Sequence, residues 1–296
     1  MILIWHEGAL GDLLLSRLAI GALQKFGLPL VLCARHEART LFQEAGVVEE
    51  ARPTSLSLLQ HFSDAQKVFV FTSQSAWAEI FYHHFGERVY LVPTRPLPGQ
   101  HLAWQALKMI GGPPQTFTLS LSSPPPRTKE LVVLHPGSGG SYKCAPPGFW
   151  KEVYQFLEAL GKRPLVFLGP AERDLFPSFY GYRTHVSEDI AQTVEVLCRA
   201  EGFLGHDSGL THLAAALGLP VWGLFGPTDW RAWAPFGGPV VLSVRACRCL
   251  KEGKDPRKCL SPCLKGLVLE DVLPELWQWF GFLTEDFTPG GRALLR

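Results

Sequence analysis

Four short motifs in this chain bring glycines together with charged or hydroxyl side chains, and each follows an apolar run of strand length. The first is Gly8-Ala9-Leu10-Gly11-Asp12, directly after the apolar residues 2–5. Two glycines between a strand and a helix let a ligand approach the backbone closely. Asp12 then has two readings. It is an N-cap carboxylate that satisfies orphan amides of the helix it opens, or it is a carboxylate at the carboxyl edge of a parallel sheet, where ligands bind.

The second motif is His135-Pro136-Gly137-Ser138-Gly139-Gly140-Ser141-Tyr142-Lys143, after the strand-like residues 131–135. A loop so rich in amides and hydroxyls can cradle phosphate oxygens, and Lys143 adds a mobile positive charge. It lacks the G-K-[ST] ending of a Walker A loop, and a plain surface loop is the alternative. The third motif is His206-Asp207-Ser208-Gly209-Leu210-Thr211-His212. Asp207 or Ser208 would cap the following helix, leaving free amides at the positive end of its dipole, a seat suited to a diphosphate. The six-residue offset of its two histidines is not a one-face helical spacing, which argues against zinc there. The fourth motif, Phe225-Gly226-Pro227-Thr228-Asp229 with Trp233-Ala234-Pro235, follows another apolar strand and would shape the floor of a site.

Cys247, Cys249, Cys259 and Cys263 form a C-x-C, nine-residue gap, C-x3-C cluster. Four thiolates at this spacing could hold one zinc ion. Disulfides and, foremost, free buried thiols are the alternative readings. Lys251, Lys254, Arg257, Lys258 and Lys265 surround the cluster, as a solvated loop or as a surface for an acidic acceptor or anionic head groups.

These motifs need a scaffold that places strand ends along one edge. Apolar strand-like runs at 2–5, 30–34, 68–71 and 89–92 alternate with helical spacing at 12–26, 37–45, 76–85 and 102–110, the last stopped by Gly111, Gly112 and Pro113. A second series has strands at 131–135, 165–168, 202–205 and 221–225, and helices at 149–160, 190–199, 210–217 and 268–280. Strands alternating with helices predict parallel sheets covered on both faces. The chain of 296 residues suits two domains. The proline-rich stretch around Pro124-Pro125-Pro126 marks the join. We expect an N-terminal Rossmann-like domain over 1–122, a linker at 123–130, a C-terminal Rossmann-like domain over 131–280 and a tail at 281–296.

A net charge of +1 gives no field for nucleic acid. No basic segment precedes the apolar start, so no secretory signal is expected. The apolar stretch 210–226 is broken by His212, Gly218 and Pro220 and reads as a buried helix and strand. The expectation is a cytoplasmic monomer that can touch the inner membrane peripherally.

Together and in this order, G-x-x-G-D, H-P-G-S-G-G with Lys143 and Trp150, D-S-G-x-x-H followed by A-A-x-x-x-P, F-G-P-T and W-x-P make the chain resemble glycosyltransferase family 9, the ADP-heptose:lipopolysaccharide heptosyltransferases. The cysteine-rich stretch fits the same resemblance. It implies an α/β GT-B fold, two Rossmann-like domains whose parallel sheets face a central cleft. It also implies metal-independent, inverting transfer of a sugar from a nucleotide-diphosphate donor, ADP-heptose in the family, to a glycan or glycolipid acceptor of lipopolysaccharide-core type, with no cofactor. Asp12 matches the family's general base and Lys143 its donor-binding lysine. Asp207, Ser208, Gly209 and His212 match the donor-phosphate motif, and Glu172 stands where a ribose-binding acid is expected. Gly11, Ser138, Gly139 and Gly140 complete the expected donor contacts. The sequence has no Asp-x-Asp motif, which disfavours the metal-dependent GT-A alternative. It departs from the family in reading H-D-S-G-L-T-H where N-D-S-G-P-M-H is usual. A nucleotide-sugar epimerase or hydrolase, or a non-catalytic nucleotide-binding module on the same fold, are the competing readings. The G-x-G-x-x-G fingerprint of a nicotinamide dehydrogenase is absent.

Overall fold

The computed structural model describes residues 1–112, 118–259 and 263–284. The expected helix stop at Pro113 and most of the expected tail lie outside them. The chain divides into two compact units, Met1–Ser123 and the part from Pro124 onward.

The first unit carries five parallel strands: β1 (Ile2–His6), β2 (Leu30–Ala34), β3 (Glu50–Arg52), β4 (Lys67–Phe71) and β5 (Val89–Val92), in the order β3-β2-β1-β4-β5. Its helices are α1 (Leu10–Leu15), α2 (Arg17–Ala22), α3 (Arg39–Glu44), α4 (Ser75–Phe85) and α5 (Leu102–Ile110). Every residue of β1 is buried, as expected for a central strand covered on both faces. Ile2 aligns with both Leu30 and Lys67, so β1 pairs on either side and the chain reverses direction across the sheet beside it. On one face Leu3, Trp5, Val31, Val68 and Val70 pack against Phe81 and Phe85 of α4. The Trp5 and Phe81 rings meet edge to face at 5.1 Å.

The second unit carries six parallel strands: β6 (Leu131–His135), β7 (Arg163–Leu168), β8 (Thr184–Val186), β9 (Gly202–His206), β10 (Val221–Phe225) and β11 (Val240–Val244), in the order β11-β10-β9-β6-β7-β8. Its helices are α6 (Pro147–Ala159), α7 (Ile190–Arg199), α8 (Gly209–Ala216), α9 (Trp230–Trp233), α10 (Arg248–Lys251) and α11 (Leu273–Thr284). Strands β6 and β9 are neighbours, with His135 opposite Gly205. Strand order therefore reverses between them, at the kind of switch point where open α/β sheets bind ligands. Trp279 of α11 packs so closely on β9 that a Cβ on Gly202 would fall 2.5 Å from its ring.

The expected helix over 12–26 starts earlier, at Leu10, is interrupted at Ser16 and ends as a 3-10 turn, Leu23–Phe26. The helix expected over 268–280 opens as a 3-10 turn at Leu269–Val272 and becomes α-helical only from Leu273. Edge strands β3 and β8 have three residues each and carry no apolar run to announce them. No helix among the described residues is long and apolar enough to cross a membrane.

Candidate active site

In the first unit the site is the turn from β1 into α1. Asp12 is the third helical residue, not the cap: Ala9 takes the cap position, and Asp12 Oδ2 accepts the Ala9 N–H at 3.0 Å. The capping reading of Asp12 thus describes its local bond, while the side chain stays half-buried rather than enclosed. Beneath it lies His6, the last residue of β1 and fully buried. Its Nδ1 accepts the Gly8 N–H at 3.1 Å, which leaves the ring proton on Nε2 to be donated to Ser16 Oγ at 3.1 Å. Ser16 Oγ in turn donates to the Asp12 carbonyl at 2.8 Å. Burial pushes the His6 ring down to about 3, so it works as a neutral strut. Gly8 has to be glycine here, because a Cβ would sit 2.5 Å from Asp12 Cβ and 2.7 Å from His6 Cε1. The next turn buries Arg17, whose guanidinium donates to the Leu14 carbonyl at 2.8 Å and is driven by burial down to about 9.

In the second unit three strand ends supply the site. From β9, Asp207 is buried, and its Oδ2 lies 2.7 Å from Lys143 Nζ. Its Oδ1 lies 3.7 Å from His212 Nε2. Burial disfavours the carboxylate, but His212 and Lys143 outweigh it and hold Asp207 well below the usual range. Lys143, on a short 3-10 turn Ser141–Lys143, is partly exposed. It is therefore anchored at one side and open to a ligand at the other. Ser208 caps α8, accepting the Thr211 N–H at 3.4 Å. Gly209 opens that helix, so the amides of its first turn stand at the positive end of the dipole.

The loop after β6 is stitched to β9 across the switch point. Ser138 Oγ donates to the Asp207 carbonyl at 2.7 Å. His206 Nε2 accepts the Ala145 N–H at 2.8 Å, so its Nδ1–H points to the Gly137 carbonyl at 3.4 Å. His206 is fully buried, is pushed down to about 3 chiefly by burial, and packs edge to face on Trp150 at 5.0 Å. Gly139 has open space where a Cβ would stand, while Gly140 lies under the Tyr142 ring. Glu172 is buried, with Oε2 accepting the Gly169 N–H at 3.0 Å and lying 3.5 Å from His135 Nε2. Burial works against its charge, but the His135 ring and the Gly169 amide prevail and hold it below the usual range. Its side chain fills the space a Cβ on Gly137 would need, with 2.1 Å to Cγ. The fourth motif forms the loop after β10, where Asp229 caps α9 by accepting the Arg231 N–H at 3.1 Å.

The structure thus gathers Ser138, Lys143, Glu172, Asp207, Ser208, Gly209 and His212 at one sheet edge of the second unit. Asp12 and Gly11 stand at the corresponding edge of the first. Sequence reasoning missed His6 and weighed His206 only as a zinc ligand; each closes a strand and pins the glycine turn beside it. A polar residue ending an otherwise apolar strand was the available signal.

Comparison with known proteins bears on this geometry. Residues 115–260, which carry every second-unit residue just described, match the model of glycosyltransferase family 9 (heptosyltransferase). The matched segment, just under half of the chain, is similar to glycosyltransferase family 9. A 122-residue segment is 28% identical to lipopolysaccharide heptosyltransferase 3 of Escherichia coli. That match covers 38% of this chain and only 36% of the relative, about a third of its length. Among solved structures, the family 9 glycosyltransferase of Veillonella parvula aligns over 94% of this chain and 96% of its own, with TM-score 0.74 and 14% identity. The E. coli heptosyltransferase WaaC with ADP aligns over 94% and 100%, with TM-score 0.73 and 16% identity. At such identities the likeness establishes the fold, which is α/β with two parallel Rossmann-like sheets of the GT-B class.

Proposed function

We propose that the chain is an inverting, metal-independent glycosyltransferase that uses a nucleoside-diphosphate sugar, ADP-heptose being the candidate donor. The acceptor would be a hydroxyl of a lipopolysaccharide-core-type glycan. The observation that carries this reading is Lys143, held by Asp207 beside the Ser208 cap of α8 and the glycine loop after β6. One charged donor and two sets of backbone amides at a strand-order reversal suit a diphosphate. The ADP in the WaaC structure and the heptosyltransferase family support the donor class. Asp207 has its carboxylate engaged by Lys143 and His212, so its part is to aim the lysine, not to touch phosphate.

The reaction is a single displacement. The acceptor oxygen forms a bond to the anomeric carbon while the bond from that carbon to the diphosphate oxygen breaks, its electron pair leaving with the nucleoside diphosphate. The acceptor proton goes to the Asp12 carboxylate. General-base help of this kind is worth about 10²–10⁴-fold. The negative charge gathering on the diphosphate is met by Lys143 and the amides near Ser138 and Gly209, preorganised donors that act most strongly where charge develops.

Incubation with a panel of nucleoside-diphosphate sugars and truncated glycolipid acceptors tests the reading. Transfer predicts release of nucleoside diphosphate that depends on acceptor, and a product whose anomeric configuration is inverted by NMR. An isomerised or free sugar formed without acceptor would replace it with the epimerase or hydrolase reading.

A further inference from the structure

His135 closes β6 at the reversal of strand order and is buried, yet the proposed displacement gives it no part. Its ring lies between two residues of the candidate donor site. Nε2 is 3.5 Å from Glu172 Oε2, and Nδ1 is 3.4 Å from Ser208 Oγ. The two contacts differ in what they permit. Glu172 is held below the usual carboxylate range, and an ionised carboxylate only accepts hydrogen bonds. In a neutral ring the proton therefore belongs on Nε2, because a bare Nε2 would set lone pair against lone pair. A buried N–H left without a partner is costly. Among the described residues Nε2 is buried and makes no closer hydrogen bond, so Glu172 is the acceptor within its reach. Nδ1 is then an acceptor, and Ser208 has a hydroxyl to donate.

The surroundings of Ser208 agree with that direction. Thr211 donates its hydroxyl proton to the His206 carbonyl, so Thr211 Oγ1, 3.1 Å from Ser208 Oγ, has none to give there. Ser208 Oγ also accepts the Thr211 N–H at the start of α8. One polar chain thus runs from the first turn of α8 through Ser208 and His135 to the Glu172 carboxylate. Glu172 follows β7 and Ser208 follows β9, and β6 lies between those two strands in the sheet. We propose that His135 is a positioning residue that sets both ends of the donor site. Through Nε2–H it aims Glu172, and through Nδ1 it holds the hydroxyl that caps α8. For a nucleoside diphosphate, Glu172 would meet the nucleoside and the α8 amides the diphosphate, so His135 fixes the spacing between them. That role exists only if this site takes a nucleotide, as the proposed function has it.

Two conservative variants of the full-length chain cut the link at opposite ends. His135→Asn keeps an oxygen at the Nδ1 position that can accept from Ser208, but it is too short for Glu172. His135→Gln keeps an N–H at the Nε2 position for Glu172 and lacks the acceptor for Ser208. Calorimetric titrations with adenosine, pyrophosphate and ADP read the two ends separately. In His135→Asn, adenosine affinity should fall roughly 2- to 10-fold, the loss of one hydrogen bond, with pyrophosphate affinity as in the wild type. In His135→Gln, pyrophosphate affinity should fall by a similar factor and adenosine affinity should hold. ADP should bind more weakly to both. Nitrogen-15 NMR of histidine-labelled wild type, which needs no variant, should show His135 protonated at Nε2 and bare at Nδ1. An Nδ1–H tautomer overturns the role, as does equal weakening of both probes by each variant, the mark of a merely structural residue. A wild type that binds ADP, with both variants binding it equally well, removes the role of His135 alone. A wild type that binds no ADP removes the donor reading and the role of His135 with it.

Discussion

In the first unit the turn after β1 is made by one stretch of chain. Gly8, Asp12 and Ser16 bond to His6 and to each other, and no partner is more than ten residues away. In the second unit the turn after β6 is held from β9 instead. Ser138 reaches the Asp207 backbone 69 residues on, Ala145 reaches His206 across 61, and Lys143 pairs with Asp207 across 64. The first arrangement sets the direction of one carboxylate by local geometry. The second builds a cationic seat that exists only once two strands have paired. A proton acceptor needs one group well aimed, whereas a diphosphate needs several donors converging, and convergence takes separate strands.

The largest effect separates the two roles. Asp12→Asn keeps an oxygen able to accept the Ala9 N–H, so the turn survives while the proposed base is lost. Turnover should fall about 10²–10⁴-fold, roughly 3–5 kcal/mol, with ADP affinity unchanged by calorimetry. Equal losses in both would mean the two turns do not divide the work in this way.

The buried histidines, one in each unit, come next. Folded His6 and His206 both sit at about 3, against about 6.5 in an unfolded chain. Above pH 6.5 neither state takes a proton and the histidines contribute no pH dependence. As pH falls below 6.5 the unfolded chain gains protons that the folded rings refuse, so stability drops, levelling only near pH 3. At pH 5 this costs about 2 kcal/mol per histidine. Thermal unfolding at pH 7 and pH 5 should show a clear fall in midpoint for both units, and constant midpoints would contradict neutral, buried rings.

A smaller effect sharpens the contrast between local and distant pinning. Gly137→Ala drives a Cβ into Glu172, an overpacking cost of about 1–3 kcal/mol that Glu172→Ala should largely restore in the double variant. Gly8→Ala meets Asp12 and His6 instead, and no second substitution relieves it without dismantling the turn. Denaturation midpoints of the single and double variants measure this. A double variant no more stable than Gly137→Ala would show that the two turns are crowded in the same way.

The sequence made the proposed chemistry legible where its residues sit in one short stretch. The glycine turns follow apolar strands, and the run from Gly137 to Lys143 could be read as an anion loop. The strand alternation and the proline-rich join were also visible, because β1, β6 and β10 are long and wholly apolar or nearly so. What stayed hidden is the pinning. Asp207 reads as a phosphate-motif acid and folds as the anchor of Lys143. Glu172 reads as a sugar-binding acid, and its carboxylate is engaged by Gly169 and His135. His6 lies just past the expected strand 2–5, and His206 is weighed only as a zinc ligand. Asp207 and His206 depend on neighbours more than sixty residues away that only folding brings together, and edge strands as short as β3 and β8 carry too few residues for a pattern.

The seat around Lys143 is probed most directly by calorimetric titration of ADP into the wild type and into Lys143→Met, which keeps the side chain's length and removes its charge. Loss of a charge-assisted contact of about 1.5–3 kcal/mol predicts roughly 10- to 100-fold weaker binding, with adenosine affinity unaffected. Equal ADP affinity in the two proteins would contradict the account.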